Sequence, residues 1–260
     1  MTRPQWRMAG ASVRGSSHEN AGLPCQDAHL WTITSAGLVV GAVADGAGCA
    51  SYGDLGATVA VSASVEAVSQ TFAEEHGRVP LGEISDEKWQ QLLTETLEVA
   101  RNAVQAEAKA RSLDTRDLAS TLILFVASSE FIAGVQIGDG AIVAVELGGR
   151  AFCVTQPLRG EYLNETVFLT SDSSLATAQP TVWRGELAHL GAISDGLQMV
   201  ALNISTASPH TGFFMPLFGL LEKEEDEIRV HDMLVSFLTS PRLRERTDDD
   251  VTLLLATLIR

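Results

Sequence analysis

The chain has 260 residues, 45% of them hydrophobic, which is enough apolar material for one sizeable core and points to a single domain over 1–260. Its 18 Lys and Arg against 33 Asp and Glu leave a formal charge of −15, a balance that a nucleic-acid backbone would repel. The opening MTRPQWRMAG has no apolar signal core, the longest apolar stretches are too short to cross a bilayer, and Cys25, Cys49 and Cys153 form no CxxC pair, so the sequence reads as a cytoplasmic protein with reduced thiols and no membrane partner.

Short β-branched runs stopped by turn residues predict strands over Ala9–Arg14, Ala28–Thr34 and Gly37–Ala44. A helix is predicted over Asp54–Phe72, where Leu55, Val59, Val65, Val68 and Phe72 recur at helical spacing. A second runs over Asp86–Ala110 through Trp89, Leu92, Leu93, Leu97, Ala100 and Val104, with Ser85 as its N-cap. Gly77 to Gly82, holding Pro80, reads as the loop between them. Strands follow over Ser120–Ala127, Phe131–Ile137, Ala141–Glu146, Ala151–Thr155, Thr166–Thr170 and Leu187–Ser194, with Trp183 to Glu186 read as a loop. Two helices, Phe213–Leu221 and Glu225–Leu238, precede a last strand over Val251–Leu258. Consecutive strands joined by tight turns favour antiparallel pairing, so the expected class is α+β, with helices outside a sandwich. A doubly wound parallel fold would need strands and helices alternating throughout, and they do not.

Three strands run straight into Asp-Gly: Asp45-Gly46, Asp139-Gly140 and Asp195-Gly196. The Asp248-Asp249-Asp250 cluster precedes the last strand. One Asp-Gly is an ordinary hairpin signal. Four acidic strand ends are a different matter, because carboxylates meeting at the rim of a sheet cannot all stay ionised without a compensating charge. A hard divalent cation supplies that charge, and Mg²⁺ and Mn²⁺ favour oxygen ligands. The glycine is expected to let a backbone carbonyl reach the ion. No HxxH or CxxC spacing points to zinc.

With these motifs the chain resembles the PP2C-type metal-dependent serine/threonine protein phosphatases, in particular their compact bacterial branch. The pieces occur in order: Gly15-Ser-Ser-His-Glu-Asn, Pro24-Cys-Gln-Asp27, Val43-Ala-Asp45-Gly46-Ala-Gly, Leu118-Ala-Ser-Thr-Leu, Ile137-Gly-Asp139-Gly140, Ser194-Asp195-Gly196 and Thr247-Asp-Asp249-Asp250-Val-Thr. The resemblance implies two antiparallel sheets in a sandwich flanked by pairs of helices, a four-layer αββα arrangement, with two or three Mn²⁺ or Mg²⁺ ions at one end. It implies that Asp45 bridges two ions, that the Gly46 carbonyl completes one shell and that Asp195 and Asp249 ligate the second. Asp139 matches the residue holding a further, weaker ion, and Asp27 the outer carboxylate that bonds metal-bound water. A water activated between two ions would then hydrolyse phosphoserine or phosphothreonine in a protein substrate, opposing a cognate Ser/Thr kinase.

The chain departs from that pattern at three positions. Many members carry an arginine for substrate phosphate where Gly22 stands; Gln26 replaces an acidic residue, and Ala47 a histidine. His18, inside the Gly-Ser-Ser-His motif, is the candidate to bind phosphate instead. A regulatory phosphatase with one dedicated partner and a catalytically weak, partner-binding module are the rival readings; retention of Asp45, Asp195 and Asp249 argues against the latter. Arg242, Arg244 and Arg246 read as a solvated basic turn.

Overall fold

The computed structural model describes residues 5–74, 83–156, 166–203, 205–206 and 208–260. The predicted loop Gly77 to Gly82 lies outside the described residues. In chain order the elements are β1 (Gln5–Val13), α1 (Ser16–Ala21), β2 (Asp27–Ile33), β3 (Val39–Asp45), α2 (Gly53–Glu74), α3 (Asp86–Arg111), β4 (Leu122–Ala127), β5 (Phe131–Ile137), β6 (Ala141–Glu146) and β7 (Ala151–Cys153). They continue with α4 (Ser174–Thr177), β8 (Thr181–Arg184), β9 (Leu187–Ile193), α5 (Gln198–Ala201), β10 (Leu202–Asn203), β11 (Ser208–Pro209), α6 (Thr211–Lys223), α7 (Glu227–Leu238), α8 (Pro241–Arg244) and β12 (Val251–Ile259).

Two five-stranded sheets form, ordered β1-β12-β9-β6-β7 and β2-β3-β4-β5-β8. Every pairing within them is antiparallel. Strand alternation then sets the layers. On β4, Leu122, Leu124 and Val126 face α2 and α3, while Ile123, Phe125 and Ala127 face the other sheet. On β12, Leu253 and Leu255 pack with α6 and α7, while Leu254 and Ala256 join the inter-sheet core. The four-layer αββα sandwich expected from the sequence is the fold observed.

α3 shows why the helices lie outside. Trp89, Leu93, Leu97, Ala100, Val104 and Ala108 are buried at helical spacing, and the Ser85 side chain accepts from the Lys88 N–H at 3.4 Å. Trp89 sits between Phe72 and Phe131, with ring centroids 5.5 and 4.8 Å away.

The structure corrects several elements. Thr166–Thr170 is not a strand: the Leu169 N–H donates to the Ser120 carbonyl at 2.8 Å and the Phe168 N–H to Ser171 Oγ at 3.3 Å, so the segment turns back on itself and plugs the buried Leu169 into the core. Trp183 belongs to a strand, β8, pairing with β5 at the sheet edge, where its ring lies 5.0 Å from that of Phe152. The Gly15-Ser-Ser-His motif opens α1, with Gly15 as its N-cap, and Gly22 is the C-cap of that helix, at φ +69°. That left-handed backbone is where glycine is favoured.

Candidate metal centre

The acidic residues collect at one end of the inter-sheet layer. Asp27 pairs with Asp45 across β2 and β3, and alternation puts Asp45 on the side of Val43, which faces the opposite sheet. That opposite sheet supplies Asp195 just after β9 and Asp249 just before β12, strands that are hydrogen-bonded neighbours. Asp139 occupies the turn between β5 and β6, one strand from each sheet.

Glycines allow this convergence, and not as hairpin residues. None of Gly46, Gly140 and Gly196 has a positive φ, so they are not hairpin glycines. Instead, a Cβ on Gly46 would lie 2.4 Å from the Gly53 carbonyl carbon, one on Gly140 2.4 Å from the Ile193 carbonyl oxygen, and one on Gly196 2.1 Å from the Asp250 carbonyl oxygen. Gly15 is as tight, 2.2 Å from the Asp249 carbonyl carbon. Each glycine lets another backbone segment touch it, which draws the strand ends bearing the aspartates together.

The sequence did not single out Asp250, yet it is the best-satisfied carboxylate of the group. It is 2% exposed; Oδ1 accepts from the Gly15 N–H at 2.7 Å, and Oδ2 accepts from the Gln26 N–H at 2.6 Å and lies 2.8 Å from His18 Nδ1. It therefore clamps α1 and the entry of β2 to the start of β12. Ser194 also went unnoticed: its hydroxyl donates to Asp27 Oδ2 at 2.7 Å. Thr121 accepts the Asp45 N–H at 2.9 Å and returns its own N–H to the Asp45 carbonyl at 2.8 Å, fixing the end of β3. The signal for all three was position: Asp250 and Ser194 stand in motifs already marked by an aspartate, and Thr121 in Leu118-Ala-Ser-Thr-Leu.

Burial and mutual proximity raise the proton affinity of Asp27, Asp45, Asp195 and Asp249. Burial pushes the Asp45 carboxyl up to about 10, aided by the charges of Asp27, Asp195 and Asp249. Burial, then Asp139, Asp249 and Asp27, lifts Asp195 to about 7. Asp27 rises to about 6 by burial despite its bond from Ser194, and Asp249 rises as well, chiefly through desolvation. Asp27 Oδ1 is buried and finds no hydrogen-bond partner of good geometry among the described residues. Four neighbouring carboxyls with raised proton affinity are a place where a positive charge would be stabilised.

A divalent cation fits this donor set. Among the described residues no three His, Cys, Asp or Glu side chains enclose one cation position. Each ion would therefore take one or two carboxylates and fill its shell with water, as Mg²⁺ does. Asp139 Oδ2 accepts from Thr166 at 3.1 Å, so its carboxylate is partly engaged at the edge of the group. His18 is close enough to stabilise the ionised form of Asp249.

Comparison with known proteins agrees with the fold. The profile of the family Protein phosphatase 2C matches residues 14–239. The chain is 37% identical over 257 residues to Serine/threonine-protein phosphatase 3 of Escherichia coli (strain K12), covering 96% of this chain and 98% of that protein. It superposes with a TM-score of 0.63 on PppA of Pseudomonas aeruginosa, a regulatory component of a T6SS, at 18% identity over 98% of each chain. The catalytic domain of the phosphatase PstP, in complex with 2 manganese ions, gives 0.59 at 16% identity over 99% of this chain and 100% of that one. At those identities the structural likenesses speak for the fold alone. Among the described residues no helix is long and apolar enough to cross a membrane. A profile over most of the chain, a relative this similar along its whole length and aspartates gathered between two antiparallel sheets place the chain in the protein phosphatase 2C family, as a metal-dependent phosphatase of phosphoserine and phosphothreonine in proteins.

Proposed function

We propose that this phosphatase works with two divalent cations, Mn²⁺ or Mg²⁺, held by Asp45, the Gly46 carbonyl, Asp195 and Asp249, with Asp139 holding a further, weaker one. The observation that carries the reading is the elevation of the Asp45, Asp195 and Asp249 carboxyls, each chiefly by burial and the first two also by neighbouring aspartates, which a cation among them would relieve. The cations, when bound, supply the charge that acidifies a water and stabilises phosphoryl transfer. The chain's own groups do the rest. Asp27, oriented by the Ser194 hydroxyl, accepts a hydrogen bond from water in the site. His18 donates to the substrate phosphate. Its Nδ1 is held by Asp250, which aims the ring, and Nε2 becomes a second donor only when the ring is an imidazolium. Gly22 cannot take over this task cheaply, because an arginine there would have to adopt φ +69°. A cognate Ser/Thr kinase supplies the phosphoprotein. A cytoplasmic setting accords with three unpaired cysteines.

Hydrolysis of p-nitrophenyl phosphate with Mn²⁺, Mg²⁺ or EDTA tests the reading. Activity should need roughly millimolar cation and vanish with chelator, since oxygen ligation by few protein groups is weak. Full activity after exhaustive dialysis against EDTA would sink it.

A further inference from the structure

A line of polar groups, passing at Thr252 from side chain to backbone N–H, leads inward from the carboxylates along the face between the sheets. It begins where Gly10 on β1 leaves room: a Cβ there would lie 2.6 Å from His29 Cδ2 and 2.8 Å from its Nε2. The His29 ring occupies that space, with Nδ1 2.8 Å from Ser12 Oγ. Ser12 Oγ lies 2.7 Å from Thr252 Oγ1. The Thr252 N–H donates to Ser194 Oγ at 2.9 Å, and Ser194 donates to Asp27 Oδ2 at 2.7 Å. The line thus crosses β2, β1 and β12 and ends, just past β9, on the carboxylate where β2 starts.

Donor and acceptor roles at its end are fixed. A backbone N–H can only donate, so Ser194 Oγ receives from Thr252 and keeps its proton for Asp27, which can only accept while ionised. The Thr252 side chain also favours the ionised form of Asp27. This polarity is local. Farther along the same layer the side chains are Met8, Leu254, Ala256, Ala192 and Trp31. Thr252 is 0% and Ser194 2% exposed, a setting in which a hydroxyl is costly unless hydrogen-bonded. Apolar residues would fill it as well if packing were the only demand.

We infer that Ser12 and His29 are positioning residues for the phosphatase reaction: they hold Thr252, and through Thr252 and Ser194 they fix the orientation of the Asp27 carboxylate. The inference rests on the proposed role of Asp27 in orienting water at the metal centre. Outer-shell partners of metal sites commonly alter activity about ten- to hundredfold when removed.

The test is kcat and KM for p-nitrophenyl phosphate at saturating Mn²⁺ in Ser12→Ala, Thr252→Val and Asp27→Asn, and in each of the first two combined with Asp27→Asn. Ser12→Ala and Thr252→Val should each lower kcat about tenfold with KM nearly unchanged. Ser12→Thr, which keeps a hydroxyl, should retain most of the activity. In the Asp27→Asn background the same changes should cost less than about twofold more, because residues acting through one group are not additive. Multiplicative losses in the double variants, or wild-type kcat in both single variants, would overturn the inference. Full activity in Asp27→Asn would instead overturn the reading of Asp27 on which it stands. Circular dichroism and melting temperature accompany each variant. If Ser12→Ala does not fold, Thr252→Val, which keeps the side-chain volume, carries the test. Loss of folding in both would make the line structural and overturn the inference.

Discussion

Asp45 bears the cluster's electrostatic load, being the carboxyl that burial and its neighbours raise furthest, to about 10. A carboxyl whose folded value exceeds its unfolded value of 3.8 destabilises the protein once the unfolded chain can ionise and the native one cannot. The penalty is absent below about pH 4, grows as the pH rises, and is complete for Asp27 above about 6, for Asp195 above about 7 and for Asp45 only above about 10. In EDTA, the melting temperature should therefore fall from about pH 5 to pH 8, and saturating Mn²⁺ should flatten that slope. A chelated protein with no such slope would show that the carboxyls are not coupled as described. Asp45→Asn removes the central charge: turnover should drop by at least about a hundredfold while the metal-free variant melts higher than wild type. Wild-type turnover at saturating metal would move the site elsewhere. These residues were legible because a strand running into Asp-Gly is visible in one dimension. Asp250 was not, since nothing in Asp248-Asp249-Asp250 distinguishes the side chain that turns inward to bond Gly15, Gln26 and His18.

At the scale of elements, helix α3 could be read directly because its burial follows one helical period, and strands β5 and β6 because each is a short apolar run buried almost throughout. α1 could not: it has six residues, none buried, and no side-chain cap. β8 escaped because it is a four-residue edge strand, fastened by Arg184 to Asp86 at 2.7 Å and so held by a partner remote in sequence. Thr166–Thr170 misled because its Val-Phe-Leu run is apolar for local plugging and pairs with no strand. Two substitutions separate the roles of these elements. Trp89→Ala empties the space between Phe72 and Phe131 and should cost about 3–5 kcal/mol in urea unfolding, while leaving the metal requirement of the remaining folded enzyme unchanged. Gly196→Ala drives a methyl against the Asp250 carbonyl oxygen, 2.1 Å away, and should cost about 1–3 kcal/mol by overpacking. It should also raise the Mn²⁺ concentration for half-maximal activity, because relief of the clash displaces the segment carrying Asp249. An unchanged metal requirement in Gly196→Ala would mean that the close approach serves packing alone.

Across the whole molecule, the site exists only when distant parts of the chain meet. β1 and β12, its first and last strands, pair over nine residues, and Asp27, Asp45, Asp139, Asp195 and Asp249 come from strand ends and turns spread between them. Around this centre the molecule carries a formal charge of −15, while a phosphomonoester brings about −1.5 to −2 of its own. Bound cations attract the phosphate at short range, but the surface repels it at long range, and only the second effect is screened by salt. Flanking charge on the substrate should therefore matter in dilute buffer. A phosphopeptide with Lys and Arg beside the phosphoserine should show a kcat/KM several-fold above that of an acidic-flanked peptide at about 20 mM salt. With the Debye length near 10 Å at 0.1 M and about 3 Å at 1 M, the gap should narrow steadily and nearly close at high salt. A preference for acidic flanks that survives high salt would instead require a direct basic contact, of the kind the exposed Arg242 and Arg246 could make, and would overrule the long-range argument.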